Sequence, residues 1–317
     1  MRLMNAKLVL AGGLLAASAL WALPAGAVDW ASVPGKDVNL FYPGQASFEW
    51  VLTQTDHSGA PVFKDGKNCA QCHDLPGKSE ASKMGDTIVS GKKLEPAPIA
   101  GKPGSIVANV KIAKDGDKLS VRLEFPDTPA AGAKMDADNA VKVTMMLDNG
   151  KVPEFARMGC WATCHDNLAY MASAQPGQDV TKYIKQSRVK LTRQGGADVK
   201  PADELAKLHG EGMELEYWQA KLNPGKPAAA VDGFILDKRA PDATPAVTAE
   251  GKLEGGKWVV ILSRKLAAPA PYKELAAGKV YTVGFAIHGG FAARRFHWVS
   301  FEHSLAIGGG EGDFVVK

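Results

Sequence analysis

The placement of the four cysteines constrains this 317-residue chain more than any other feature, because all four fall in two short cysteine–histidine motifs. The segment 69–73 has the Cys-x-x-Cys-His pattern that attaches a c-type haem. The segment 160–165 repeats the pattern with three residues between its cysteines instead of two. In such motifs the thiols add across the haem vinyl groups and the histidine becomes an axial ligand of the iron. The motif residues are Cys69, Cys72, His73, Cys160, Cys164 and His165.

Two other uses of four cysteines have to be weighed. In an exported chain they could form two disulfides, and a Cys-x-x-Cys pair is also a common zinc site. Neither alternative requires a histidine directly after each cysteine pair, and the chain has only seven histidines in 317 residues. We therefore predict two covalently attached haem c groups as the cofactors.

The amino-terminal stretch has the pattern of a secretory signal, expected over residues 1–27. Arg2 and Lys7 precede an apolar run, and Ala27 ends a small-residue cleavage site. We expect a mature chain that starts near Val28, lies in the periplasm and has no membrane span. Without Arg2 and Lys7 the formal charge falls from +4 to +2, which gives no reason to expect nucleic acid as a partner.

Composition divides the remaining chain into three parts. Residues 28–92 have little hydrophobic periodicity and are predicted to form a small, loop- and helix-rich c-type haem segment. Residues 93–104 are rich in Gly and Pro and are predicted to be a linker. Residues 105–317 alternate apolar and polar residues between turn signals, which is typical of an antiparallel β-sandwich. The predicted fold class is mainly β, with the second haem carried by the sandwich.

Individual elements follow from the same alternation. A helical turn or two is predicted over 47–52, and a helix is predicted over 160–174, after the second cysteine pair begins. Strands are predicted at 105–112, 119–125, 140–147, 189–192, 213–220, 245–253, 258–262, 280–287 and 296–301.

Four stretches of the sandwich region, taken in order, resemble the haem-binding domain of the ethylbenzene dehydrogenase and dimethyl sulfide dehydrogenase haem subunits. The resemblance implies a β-sandwich that holds a haem at one end, with a Met and a Lys as iron ligands. Met158 falls at the position of that Met and His297 at that of the Lys. Because an attachment motif follows Met158 directly, the resemblance implies a c-type branch in which His165 replaces Met158. The stretches are 155–159, 215–221, 256–266 and 283–290 continuing into 296–300.

Each iron has a sixth coordination position besides the one that its motif histidine fills. For the first haem we predict His57, which lies twelve residues before Cys69, although a solvated turn histidine is the alternative. His303 could serve either haem, and His209 is expected to be structural. The candidates for the second haem, in order of preference, are His297, His288 and, as the non-histidine rival, Met158.

Three arginines are expected near the second haem. A guanidinium group pairs well with a carboxylate, so these residues are candidate partners of the haem propionates. A solvated basic face is the alternative. The residues are Arg157, Arg294 and Arg295.

These features predict a periplasmic dihaem c-type cytochrome that carries single electrons between respiratory partners. If both irons are six-coordinate, no position remains for a substrate, so the chain is not expected to be an enzyme. A dihaem peroxidase or small-oxyanion reductase with one open iron is the alternative, and a haem-based sensor is a third possibility. The resemblance implies anaerobic respiration and periplasmic or membrane redox partners, such as a molybdenum oxidoreductase or a quinol-oxidising cytochrome.

Overall fold

The computed structural model describes residues 28–45, 48–75, 77–128, 135–161, 184–189, 191–192, 195–196 and 199–317. The expected signal sequence and most of the helix predicted over 160–174 lie outside these residues. The helices are α1 (Phe48–Val51), α2 (Ala60–Lys64), α3 (Ala70–His73), α4 (Ala81–Val89), α5 (Phe155–Met158) and α6 (Ala202–Gly210). No helix in the described part of the chain is long and apolar enough to cross a bilayer.

The chain is mainly β, as predicted. The strands are β1 (Lys36–Phe41), β2 (Asp74–Leu75), β3 (Lys78–Ser79), β4 (Ser105–Asp115), β5 (Lys118–Pro126), β6 (Val141–Asp148), β7 (Leu191–Thr192), β8 (Gly195–Gly196), β9 (Leu215–Leu222), β10 (Ala229–Ile235), β11 (Arg239–Pro241), β12 (Thr248–Glu254), β13 (Lys257–Lys265), β14 (Lys279–His288), β15 (Trp298–Val299), β16 (His303–Ile307) and β17 (Phe314–Val316).

Thirteen strands form one hydrogen-bonded sheet in the order β11-β10-β9-β6-β14-β15-β1-β4-β5-β13-β12. Two further members lie off this path, β16 beside β14 and β17 beside β16. The pairs are antiparallel except for β16 and β17. Strand β12, at one end of the order, contacts β9 and β10 near the other end, so the sheet folds back on itself.

Alternate residues of the strands enclose one apolar core between the two halves of the folded sheet. On β13, Trp258, Val260 and Leu262 are buried while the residues between them are partly exposed. From the opposite half, β6 and β14 contribute residues such as Val143 and Phe285 to the same core. Each buried side chain of this size stabilises the fold by about 1.5–3 kcal/mol. This face-to-face packing matches the predicted sandwich.

Strand β1 lies in a part of the chain that the sequence assigned to a separate haem segment. It pairs with β4 over six residues, from Lys36 opposite Val110 to Phe41 opposite Ser105. The sheet therefore includes residues that the predicted division at 93–104 placed outside it. This strand was not predicted, because a six-residue strand with three apolar residues is recognisable only once its neighbour is known.

The predicted linker packs closely on the sandwich instead of spanning open solvent. The Arg295 guanidinium donates to both carboxylate oxygens of buried Glu95, at 3.0 and 2.7 Å, and the Tyr42 hydroxyl donates to the same carboxylate. Burial, reinforced by Glu95, raises the pKa of Tyr42. Lys102 lies 3.5 Å above the centre of the Trp298 ring, and burial lowers its pKa to about 7. Both ends of the 93–104 segment are thus fixed to the sheet.

Most predicted strands are confirmed, within a few residues at each end, by β4, β5, β6, β9, β12, β13 and β14. The helical turn predicted at 47–52 corresponds to α1. The strand predicted at 296–301 is much shorter, because only Trp298 and Val299 pair in β15. The sequence did not predict β10, whose run of alanines and a central Gly233 carries little β-propensity.

Candidate haem-binding sites

The first site is centred on two imidazole rings. His73 ends helix α3, four residues after Cys69, and its ring centre lies 6.2 Å from that of His57. Two imidazoles that bind one metal from opposite sides, each through a metal–nitrogen bond of about 2 Å, have ring centres roughly 6 Å apart. The separation therefore fits one iron held between His57 and His73.

The outer nitrogen of each ring has its own hydrogen-bond partner. His57 Nδ1 lies 2.9 Å from the Val51 carbonyl oxygen, and His73 Nδ1 lies 3.3 Å from Glu80 Oε2. A histidine that donates from Nδ1 presents Nε2 to a metal, and such outer partners fix the ring orientation. Burial lowers the pKa of His57, which favours the neutral imidazole that metals bind.

A cavity of about 200 Å³ lies beside this histidine pair. Its walls are largely apolar and include Trp50, Met84 and Trp161, while Lys83 and Lys93 contribute charged groups. Of the attachment cysteines, Cys69 is buried and Cys72 is exposed. The donor set, the apolar wall and the two thiols together fit a haem with one edge near solvent.

The second site is a cavity of about 330 Å³ on the sandwich, reached by three sequence-predicted groups: the first cysteine of the second motif, two of the three histidines in the last third of the chain, and two of the three arginines. The other charged side chains in the cavity wall come from strands that are distant in sequence. These lining residues are Cys160, His288, His297, Arg294, Arg295, Lys142, Lys221 and Arg239. Cys164 and His165 lie outside the described residues.

His288 and His297 stack on each other, with ring centres 4.6 Å apart and an angle of 18° between the rings. This separation is too short for the two to bind one iron from opposite sides. His288 Nε2 and His297 Nδ1 each lie 2.9 Å from the Arg294 carbonyl oxygen, which the positive φ of that residue, 58°, directs toward both rings. Burial and the neighbouring His297 hold the pKa of His288 well below its usual range.

The shared carbonyl assigns different nitrogens to the two histidines. His297 donates from Nδ1, the arrangement that directs Nε2 to a metal. His288 donates from Nε2, and its Nδ1 is buried without a partner among the described residues. His297 therefore has the usual orientation of an axial ligand, whereas His288 packs against it.

Two predicted residues of the second site lie elsewhere. The Arg157 guanidinium donates to the carbonyl oxygens of Phe63 and, at 2.8 Å, Lys67, and it stacks on the Phe63 ring. Met158 is fully buried in the apolar cluster beside the first motif. Neither is among the residues that line the second cavity. The contacts of Arg157 thus support the first haem segment and not a propionate of the second haem.

The two predicted arginines that do line the second cavity differ in their surroundings. Arg294 is exposed at the cavity, whereas Arg295 is buried in its pair with Glu95. The sequence did not identify Lys142, Lys221 or Arg239, which lie on three different strands and meet only through sheet pairing.

The two remaining histidines lie apart from both cavities. His209 on α6 contacts the Glu214 carboxylate at 2.5 Å, which is consistent with its predicted structural role. His303 on β16 is buried, and its Nδ1 lies 4.0 Å from Asp313 Oδ2. Burial lowers the pKa of His303 to about 4.

Gly159 fixes the approach to the second motif. Its φ is 56°, and a Cβ at this position would overlap the Phe301 backbone carbonyl. The next residue, Cys160, donates its backbone N–H to the Ser300 carbonyl at 3.3 Å, and its sulfur would lie only 2.9 Å from a Cβ on Gly284. The attachment sulfur therefore has room only because positions 159 and 284 are glycines.

We expect Gly159→Ala to destabilise the folded protein by several kcal/mol, because backbone strain of about 1–3 kcal/mol adds to the steric overlap. Gly150→Ala is the matched control, since its φ is also positive, 86°, but no atom lies within 4 Å of the added Cβ. Urea unfolding and haem content would be measured for both variants. Equal losses of stability in the two would show that the close contact at Gly159 is unimportant.

Comparison with known proteins places this chain among haem proteins. It is 38% identical to cytochrome c-552 of Stutzerimonas stutzeri over 299 residues, which is 93% of this chain and 93% of the relative. The chain belongs to the same family of c-type cytochromes, whose members carry covalently bound haem c and transfer electrons. A second relative, cytochrome c-551 of Rhodocyclus tenuis, is 30% identical over 293 residues, 90% of this chain and 98% of the relative.

No family model matches the chain, so the predicted resemblance to the ethylbenzene dehydrogenase haem domain stays a prediction. Among solved structures, a family 9 carbohydrate-binding module from Caldicellulosiruptor kristjanssonii in complex with cellotriose has a TM-score of 0.30 at 11% identity, over 62% of this chain and 65% of that chain. A carbohydrate-binding protein of Bacteroides uniformis has a TM-score of 0.29 at 9% identity, over 68% and 76%. Similarity this low carries no argument.

Proposed function

We propose that this cytochrome carries two haem c groups, both six-coordinate, and moves single electrons between respiratory redox proteins in the periplasm. The observation that carries the proposal is the 6.2 Å separation of the His57 and His73 rings, with each Nδ1 already engaged. Haem iron supplies a reversible one-electron change between its ferric and ferrous forms. A histidine on each side of the first iron leaves no position there for a substrate.

The second haem rests on a different set of contacts. Cys160 opens into a cavity where His297 has the orientation of an axial ligand. Lys221, Arg239 and Arg294 give this cavity positive charge in addition to the pairs that Lys142 and Arg295 make with carboxylates. Cationic side chains of this kind pair with propionate carboxylates. These residues would orient the group, and their positive charge would favour its reduced form. Water and salt would weaken this effect where the side chains are exposed.

Haem stoichiometry tests the proposal directly. A pyridine haemochrome assay and the intact mass of the purified protein should give two haems per chain. Cys69→Ala with Cys72→Ala should remove one haem, and Cys160→Ala with Cys164→Ala should remove the other. One haem in the unaltered protein would refute the dihaem proposal, although it would leave the c-type assignment intact.

The second site gives a prediction that separates its two histidines. His297→Ala should open the sixth position of the second iron and produce a high-spin ferric signal that shifts on addition of cyanide. His288→Ala should keep that iron low-spin, because His288 packs on the ligand ring without the Nδ1-donating orientation. Electron paramagnetic resonance of both ferric variants is the measurement. The reverse result would identify His288 as the ligand.

The enzyme alternative predicts a different spectrum for the unaltered protein. A dihaem peroxidase or small-oxyanion reductase keeps one iron open, so its ferric form would contain a high-spin component that binds cyanide. The proposed carrier should show two low-spin signals and no response to cyanide. The proposed redox partners include a molybdenum oxidoreductase or a quinol-oxidising cytochrome. Each class can be tested by mixing the purified partner with this cytochrome and measuring reduction of the haem.

A further inference from the structure

The two attachment motifs meet at one short piece of backbone, residues 157–161. The Cys69 backbone N–H donates to the Arg157 carbonyl oxygen at 2.8 Å, so the first motif begins beside the start of the second. Three residues later, Cys160 lines the second cavity. Its immediate neighbour, Trp161, lines the first cavity. Consecutive residues thus belong to different haem sites.

Trp161 lies at the centre of an aromatic cluster made of Phe41, Trp50, Trp161 and Phe301. Its ring centre is 5.6 Å from that of Phe41, 6.1 Å from that of Trp50 and 6.3 Å from that of Phe301, all in edge-to-face arrangements. Such contacts fix ring positions and exclude water. The Trp161 side chain is only 2% exposed.

Two members of the aromatic cluster also contact the histidines of the first site. Phe301 stacks on His73 with ring centres 6.1 Å apart and an angle of 19°. Trp50 lies 5.5 Å from His57. Trp161 therefore touches the neighbours of both ligands of the first iron, while its backbone is bonded directly to the residue that would hold the second haem.

We propose that Trp161 is the positioning residue that couples the two haems, and that electrons pass between them through Cys160 and Trp161. This inference rests on the proposed dihaem function. In each transfer one electron leaves a ferrous iron and reduces a ferric iron, so one centre is oxidised as the other is reduced. No bond forms or breaks and no proton moves. The protein contribution is a fixed, dry contact between the sites.

The test compares substitutions at Trp161 with matched substitutions at Trp258, another buried tryptophan, which lies on β13 in the sandwich core. One electron would be delivered by pulse radiolysis to the oxidised dihaem protein, and its redistribution followed in the haem absorption bands. Trp161→Leu should slow redistribution several-fold, and Trp161→Phe should keep most of the rate. The phenylalanine variant loses no hydrogen bond within the described chain, because the Trp161 indole nitrogen has no partner there. Trp258→Leu should leave the rate unchanged.

Two controls keep the inference separate from haem loss. Haem content is measured first for every variant, and two haems in the unaltered protein establish the proposed function independently of any rate. Trp161→Leu with two haems and an unaltered rate would overturn the role of Trp161. If that variant loses haem, the contact between the two sites is tested in the unaltered protein instead. Reduction of one haem alone should sharpen the electron paramagnetic resonance signal of the other haem. An unchanged signal would overturn the close contact.

Discussion

In the ferric His57→Ala protein, the first haem is expected to change from low spin to high spin and to bind cyanide, while the signal of the second haem stays unchanged. The substitution removes the only imidazole that lies across from His73 at a metal-bridging distance in the described part of the chain. Electron paramagnetic resonance and optical spectra, with and without cyanide, measure the change. The amplitude of the high-spin signal should correspond to one haem per chain.

His209→Ala is the matched control, because His209 is half-exposed on α6 and pairs with Glu214 instead of either haem site. It should leave both spectra unchanged. A low-spin first haem in the His57→Ala protein would contradict the assignment. Met84, which lines the same cavity, is the residue to substitute next in that case, since a Met ligand would also raise the reduction potential.

Arg295→Met is expected to cause the largest loss of stability, about 3–5 kcal/mol, because it leaves the buried Glu95 carboxylate without its ion-pair partner. Both side chains are at most 5% exposed, so water cannot replace the lost contact. The Tyr42 hydroxyl and the Ala97 backbone N–H remain as donors to Glu95, but two neutral donors are too little to offset a buried charge. Urea unfolding of the haem-loaded protein at neutral pH measures the difference.

The comparison for Arg295 is a substitution in an exposed ion pair. Lys252 and Glu254 form such a pair on β12, with 63% and 67% of their side-chain surfaces exposed. Lys252→Met should change the unfolding free energy by less than about 1 kcal/mol. If Arg295→Met were equally mild, the 93–104 segment would not depend on this pair for its attachment to the sandwich. Adding Glu95→Gln to Arg295→Met should restore part of the lost stability, because it removes the unpaired charge.

Local patterns predicted the parts of this molecule that depend on neighbours in sequence. His57 lies only twelve residues before the first motif, so their meeting could be anticipated from spacing alone. Strand alternation on β4, β5 and β13 likewise predicted which residues face the core. Both depend on local backbone geometry, which the sequence specifies directly.

The charged wall of the second cavity could not be predicted in this way. Lys142 lies opposite Lys221 in one strand pair and opposite His288 in another, and these registers depend on how β6, β9 and β14 assemble. The position of Arg157 was also misjudged from sequence, because proximity to Cys160 along the chain suggested the second haem, whereas its side chain extends to the Phe63 and Lys67 carbonyls. A long side chain carries its charge well away from its own backbone.

The pairing of Phe41 with Ser105 has a consequence for how the first attachment motif is joined to the sheet. Because those residues are direct partners in adjacent antiparallel strands, residues 42–104 form a single hairpin connection, however long it is. The entropy of closing such a connection grows only slowly with its length. A chain of this family could therefore gain or lose the first attachment motif at this one connection without reordering any strand of the sheet. Shortening the connection to a tight turn would keep the strand order, but it would expose Phe41, Trp161 and Phe301 and leave the buried Arg295 without Glu95.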